Sequence, residues 1–297
     1  MNRGEVDTPP ASWDIRIRHN TTVVNEHGQN NSISTTKYTW YSFVPVSVML
    51  QFKRIANVYF LVISIMMIIG MLYPQLYDSP LDPYSTIIPL AIVLSITSIK
   101  EGLEDTKRAK FDHEDNMREV TVVRFDDRGH PKESLIASKD VKAGDIIKLE
   151  ASSAPIQVPV DMIVILTSNH DDGNQCYIET ANIDGETNLK VRQGPAAIKQ
   201  LISDDGSDIL ERFFQGTMVV EEPNEKIHKF VGALHYDHAN TADIPLGPDN
   251  LLLRSALFTN TEWAYGVAVY TGADTKVMMN NKRAESKMST IEKLANM

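Results

Sequence analysis

Two stretches without a single charged residue lie close together in this chain, and few folds accommodate such a pair. Ile55 to Tyr77 is 23 residues long and Pro83 to Ile99 is 17. As helices rising about 1.5 Å per residue they measure roughly 34 Å and 25 Å. The first crosses a hydrocarbon core of about 30 Å, and the second sits at the short end of the spanning range. Between them Asp78, Pro80, Asp82 and Pro83 form a brief segment built to turn. A buried helical pair in a soluble core is the competing reading, but neither run carries the polar stripe of a surface helix. The flanks side with a membrane. Lys53 and Arg54 precede the first run, Lys100, Lys107, Arg108 and Lys110 follow the second, and the connecting segment carries only acidic residues. Basic flanks stay on the cytoplasmic side, so both ends are expected in the cytoplasm and the loop outside. Tyr59, Tyr73 and Tyr84 lie near the span ends, where amphipathic rings prefer to sit.

After Lys110 the character changes. Short β-branched runs appear at 119–125, 145–149, 160–166 and 175–180, then at 216–220, 227–234 and 265–270. Gly129, Gly144, Pro155, Pro159 and Gly173 punctuate the first set, as turns between strands do. Helical segments fit 195–202 and 208–213. The pattern predicts a compact, mainly-β domain from about 118 to 275, and the tail from Lys282 reads as a linker. Residues 111–297 hold 19 basic against 30 acidic side chains, whereas residues 1–110 are nearly balanced. So acidic a domain is a poor partner for nucleic acid, which requires a basic surface to displace counterions. The one cysteine, Cys176, excludes an intrachain disulfide framework and a multi-cysteine metal site; its apolar neighbours point to packing. The sequons at Asn20 and Asn30 matter only if that end faces a lumen, which the charge pattern opposes.

The densest run of polar, chemistry-bearing residues is Cys176-Tyr177-Ile178-Glu179-Thr180-Ala181-Asn182-Ile183-Asp184-Gly185-Glu186-Thr187-Asn188-Leu189-Lys190. It reads as a strand entering a tight turn at Asp184-Gly185, where glycine allows the positive φ such turns often need. The turn projects Glu186 and Thr187 outward. A carboxylate on a rigid tip can orient water for attack on an electrophile. Taken alone, such a turn is most often structural, since nothing local supplies the electrophile.

The whole run resembles the actuator loop of the phospholipid-transporting class of P-type ATPases, the lipid flippases. The likeness extends along the chain. Ser34-Thr35-Thr36-Lys37-Tyr38-Thr39 with Phe43-Val44-Pro45 looks like the family's pre-membrane segment, and the run from Gln51 to Phe60 is similar to the start of its first membrane helix. Pro89-Leu90 and the run from Lys100 to Asp105 match the second helix and its exit. Asn250 to Arg254, Asn260 to Trp263 and Tyr270 to Lys276 match the actuator's closing segment. The resemblance implies an α + β membrane protein: a cytoplasmic segment at 1–54, a transmembrane hairpin over 55–110 with spans at 55–77 and 83–99, a distorted jelly-roll-like actuator domain at 111–281, and a linker at 282–297 towards a third membrane helix. It also implies the chemistry. An aspartate outside this chain takes the ATP γ-phosphate, and Glu186 orients and deprotonates the water that removes it. Thr187 and the loop backbone, Gly185 included, help position the phosphoryl group, while Asp184, Asn182 and Asn188 hold the loop. Ion-pumping relatives carry a T-G-E-type motif instead, so Asp184 favours lipid.

The same resemblance implies ATP and Mg2+ for the whole enzyme, with neither bound by this chain alone. It implies phospholipid, the remaining ATPase domains and a small membrane accessory subunit as partners. Golgi, endosome and plasma membrane all fit. Asn57, Met67, Ile68 and Glu101 are lipid-path candidates; many family members have a glutamine pair where this chain has Met67 and Ile68, a departure that bears on headgroup choice. No D-K-T-G-type phosphorylation motif occurs in the 297 residues. The reading is therefore the N-terminal part of a flippase, with a non-catalytic membrane-anchored regulatory or binding module as the alternative.

Overall fold

The computed structural model describes residues 12–16, 30–75, 82–125, 131–151, 154–169, 173–196, 198, 216–236 and 243–282. These fall into two units: residues 34–114, and residues 12–16 and 30–33 together with 115–282. Most of the expected turn between the spans, most of the two short helical segments after Pro195 and the tail beyond Lys282 lie outside the described residues.

The first unit is helical. α1 (Phe43–Gln51) is short and was not foreseen, because its nine residues are brief for a helix and include Pro45. That proline sits in the first turn, where a missing N–H costs nothing. Arg54 is extended, with φ −83° and ψ 116°, and separates α1 from α2 (Ile55–Leu72). α2 stops before the uncharged run does. Tyr73 is non-helical at φ −127° and ψ 71° because Pro74 follows it. α3 (Tyr84–Met117) runs 34 residues, well past the apolar stretch that predicted it. Its polar half carries exposed ion pairs Lys100–Glu104 and Lys110–Glu114 at i,i+4 spacing, each contributing a few tenths of a kcal/mol. α2 and α3 are long and apolar enough to cross a membrane by length and composition. They meet through Ser64, whose hydroxyl lies 3.1 Å from that of Thr86.

The second unit is mainly β, and every described strand pair in it is antiparallel. Its central six-stranded sheet uses β2 (Glu119–Phe125), β3 (Pro131–Ala137), β4 (Ile146–Glu150), β6 (Asp161–Thr167), β12 (Leu251–Leu252) and β14 (Trp263–Tyr270), in the order β12-β6-β14-β4-β2-β3. β5 (Ile156–Gln157), β7 (Gln175–Glu179), β8 (Lys190–Gln193) and β13 (Leu257–Thr259) form a second sheet, β5-β13-β7-β8. The third joins β1 (Ser12–Arg16), β9 (Gly216–Glu221), β10 (Gly232–Tyr236) and β11 (Ile244–Leu246). α4 (Ala181–Asp184) is one turn, and α5 (Lys276–Lys282) follows the last strand.

The pleat explains how one sheet serves two cores. Successive residues of a strand face opposite sides. Ile146, Ile163 and Val267 join a cluster with Met218, Leu234 and Tyr270, while their neighbours Ile147, Met162 and Ala268 join one with Ile178, Leu252 and Phe258. β6 is accordingly buried at all seven positions. The predicted strand at 227–234 starts later than expected, at Gly232. Asn224 accepts the Lys226 N–H at 3.1 Å and starts a turn across residues that are apolar enough to read as strand.

Buried polar groups close this unit. Asn31 has no exposed surface; its amide nitrogen donates to the carbonyls of Ser138 and Pro159, both at 3.0 Å. Its oxygen accepts from the Arg254 guanidinium and the Gly272 N–H, both at 2.8 Å. Gly272 has φ +56°, and a Cβ there would lie 2.7 Å from the Asn30 carbonyl, so only glycine lets the two segments approach. Arg254 also reaches Asp115 at 2.6 Å. Asn31→Ala should therefore lower unfolding free energy by about 3 kcal/mol, because it leaves a buried guanidinium and buried backbone groups short of partners. A denaturant midpoint unchanged from that of the parent protein would contradict this.

Candidate functional site

The hairpin from β7 to β8 carries the site. β7 pairs with β13 on one side and β8 on the other, with Ile178 opposite Lys190. Buried Thr180 ends the strand and α4 turns the chain over. Gly185 then takes the left-handed conformation, φ +79° and ψ 2°, and its N–H reaches the Ala181 carbonyl at 3.1 Å. A single helical turn closed by a left-handed glycine needs little else locally.

Asp184 anchors the tip. The Thr180 hydroxyl donates to its carboxylate at 2.9 Å, the Glu186 N–H at 3.0 Å and the Lys190 ammonium at 2.6 Å. Burial alone would raise this carboxyl, but the Lys190 ammonium, the Glu186 N–H and the Thr180 hydroxyl outweigh it and hold the group at about 2. Lys190 also lies 2.8 Å from the Glu186 carboxylate, so one ammonium bridges two acids. Those hydrogen bonds hold the lysine above its ordinary value. The Glu186 side chain stays 61% exposed, against 17% for Asp184. The tip thus presents one carboxylate to solvent and ties down the other.

Thr187, Asn182 and Asn188 are exposed beside these groups. Among the described residues neither asparagine side chain makes a hydrogen bond to the turn; Thr180 and Lys190 hold Asp184. Sequence reading missed both of these residues. The signal for Lys190 was its spacing, four residues after Glu186 at the start of the returning strand. Cys176 is fully buried, and burial pushes its thiol up to about 12, against a smaller opposing effect of Arg192. It packs in the cluster with Ile178, Leu252 and Phe258.

The lipid-path candidates are not gathered into one cluster. The Asn57 amide donates to the Gln51 carbonyl at 2.9 Å and fastens the turn between α1 and α2. Glu101 accepts the hydroxyls of Ser47 at 2.8 Å and Tyr38 at 3.1 Å. Met67 lies 3.5 Å from the Thr86 hydroxyl further along α2, and Ile68 is half-buried.

Because its folded-state value is depressed, Asp184 stabilises the loop above the ordinary carboxylate range, and that contribution is lost as pH falls through about 2. In a pH titration followed by NMR, the Asp184 side-chain carboxyl carbon should stay flat through about pH 4, where ordinary carboxylates titrate, and inflect only towards about 2. Lys190→Met should move that inflection up towards the ordinary carboxylate range. An unmoved inflection would mean that the lysine does not govern Asp184.

Residues 16–87 match the family described as phospholipid-translocating ATPase, N-terminal. Phospholipid-transporting ATPase FetA of Mus musculus is 39% identical over 267 residues, covering 90% of this chain and 21% of that protein. Probable phospholipid-transporting ATPase 11 of Arabidopsis thaliana is 39% identical over 263 residues, 89% of this chain and 20% of its own length. Phospholipid-transporting ATPase ID of Homo sapiens is 36% identical over 294 residues, 96% and 22% respectively. The chain spans about a fifth of the length of these relatives. With a matching N-terminal region, two helices fit to span a membrane and a mainly-β domain, the chain is similar over about nine tenths of its length to part of the phospholipid-transporting ATPases.

Proposed function

We propose that this chain supplies the membrane hairpin and actuator domain of an ATP-driven flippase that moves phospholipid from the outer to the cytoplasmic leaflet. The observation that carries this reading is the hairpin tip, where Asp184 and Lys190 fix the turn and leave the Glu186 carboxylate exposed. A tip of that shape suits hydrolysis of an acyl phosphate brought to it by the rest of the enzyme. Glu186 holds a water in line with phosphorus and takes its proton. The water oxygen bonds to phosphorus as the bond to the aspartyl oxygen breaks, leaving inorganic phosphate and a free carboxylate. Thr187 and the backbone beyond Gly185 help position the phosphoryl oxygens. Such a transfer depends on positioning and charge stabilisation, so rigid-body movement of a preformed tip can switch the step on.

ATP and Mg2+ belong to the whole enzyme in this reading. Among the described residues no group of three or more His, Cys, Asp or Glu side chains is placed to hold a metal ion. Both ends of the helical pair face the cytoplasm on the basic-flank pattern. Phospholipid, the remaining ATPase domains and a small membrane accessory subunit are the partners that follow.

In the full native protein Glu186→Gln should slow dephosphorylation by about 10²–10⁴-fold, the range for loss of a general base, and phosphoenzyme formed from labelled ATP should accumulate. Undiminished phosphoenzyme decay would remove Glu186 from the chemistry.

A further inference from the structure

Among the described residues the Glu186 carboxylate has a single partner, the Lys190 ammonium, 2.8 Å from Oε2. A glutamate on an exposed turn has three rotatable side-chain torsions, so without that partner its oxygens keep no fixed direction. The lysine is fixed from elsewhere. It opens β8, paired across the ladder with buried Ile178. Its ammonium also lies 2.6 Å from Asp184, which accepts the Thr180 hydroxyl and the Glu186 N–H. An ammonium has three N–H donors, so one lysine can serve both acids at once. Its hydrogen bonds to Asp184 and Glu186 raise it above its ordinary value, and it stays charged. Exposed ion pairs are ordinarily weak, in part because two long side chains must be immobilised together. Here the strand and Asp184 immobilise the lysine beforehand, and Glu186 alone remains to be ordered.

A general base needs one oxygen aimed at the proton it takes, within hydrogen-bond reach. Lys190 engages one oxygen of Glu186, which leaves the other for that task. We propose that Lys190 is a positioning residue for hydrolysis of the acyl phosphate: by holding Oε2 of Glu186 it aims Oε1 at the attacking water. The lysine touches neither the water nor the phosphoryl group and acts through the glutamate. The inference rests on Glu186 being the general base. It also separates two duties of one side chain. The contact with Asp184 shapes the turn, which serves Thr187 and the backbone beyond Gly185 whether or not a base is present. The contact with Glu186 serves the base alone, and its effect vanishes once the base is gone.

Phosphoenzyme decay in the full native protein tests this. The enzyme is phosphorylated with labelled ATP and chased with unlabelled ATP, and loss of label is read as a rate constant, so only folded, phosphorylated molecules count. Lys190→Met should slow decay by about 10-fold to 10²-fold, the upper end being the cost of a misplacement of about 1 Å. Lys190→Thr, which suits a strand and also lacks the ammonium, is read in the same way if the methionine variant forms no phosphoenzyme. Added to Glu186→Gln, the same change should slow decay no further, because residues acting as a unit are not additive. Decay at or above the parent rate in Lys190→Met overturns the inference. So does a double variant slower than Glu186→Gln by the full factor that Lys190→Met imposes on the parent, since the lysine would then act without the base. Parent-rate decay in Glu186→Gln would remove the general base itself, an outcome distinct from failure of Lys190→Met alone.

Discussion

Asp161 has no exposed surface, yet its carboxylate holds together segments far apart in the chain. One oxygen accepts the Arg254 N–H and the other the Lys276 N–H, each at 2.7 Å. Burial pushes this carboxyl up to about 6 in spite of those bonds. The cations beside it are buried too and have partners of their own. Lys276 donates to Glu221 and Asn224 at 2.9 Å and lies over the Tyr270 and Phe230 rings. Arg254 meets Asp115 and Asn31. Charges removed from water at this depth persist only when paired and hydrogen-bonded, and each one here is. The network joins the start of β6, the segment after β12, the start of α5 and the N-terminal Asn31, so the second unit closes around charge as much as around its aliphatic cores.

That arrangement separates support from chemistry. The buried network lies among the strands, whereas the tip at 180–190 is held by its own Asp184, Lys190 and Thr180. Two β8 residues differ accordingly: Lys190 serves the loop, and Arg192 reaches back to the Leu251 carbonyl at 3.1 Å. A site whose shape comes from local bonds keeps that shape wherever its domain travels, which is what a preorganised tip requires.

The parts legible in sequence share one cause, dense local signal. Unbroken apolar runs announced α2 and the first half of α3, and β-branched runs announced β2, β4, β6, β7, β9 and β14. The polar half of α3 was not legible, because charges that made the apolar run end also pair at i,i+4 and continue the helix. β1 was missed because a five-residue polar strand has meaning only beside β9, some 200 residues later; the Trp13 ring packs 6.1 Å from that of Tyr270. Short strands such as β12 and β13 owe their existence to partners, not to propensity. At the site, Glu186 and Asp184 were legible from the turn. The bridging role of Lys190 emerged only with the register that sets it opposite Ile178.

Gly185 carries a last consequence. Its φ of +79° explains why a glycine is there, but a Cβ built on it would meet nothing within 4 Å. The glycine therefore answers to backbone conformation, and among the described residues no atom stands within 4 Å of where its side chain would begin. The crown of the hairpin is bare main chain beside the exposed Glu186 and Thr187. A surface arriving at this crown can come to rest on the backbone itself, nearer than any residue with a Cβ would permit.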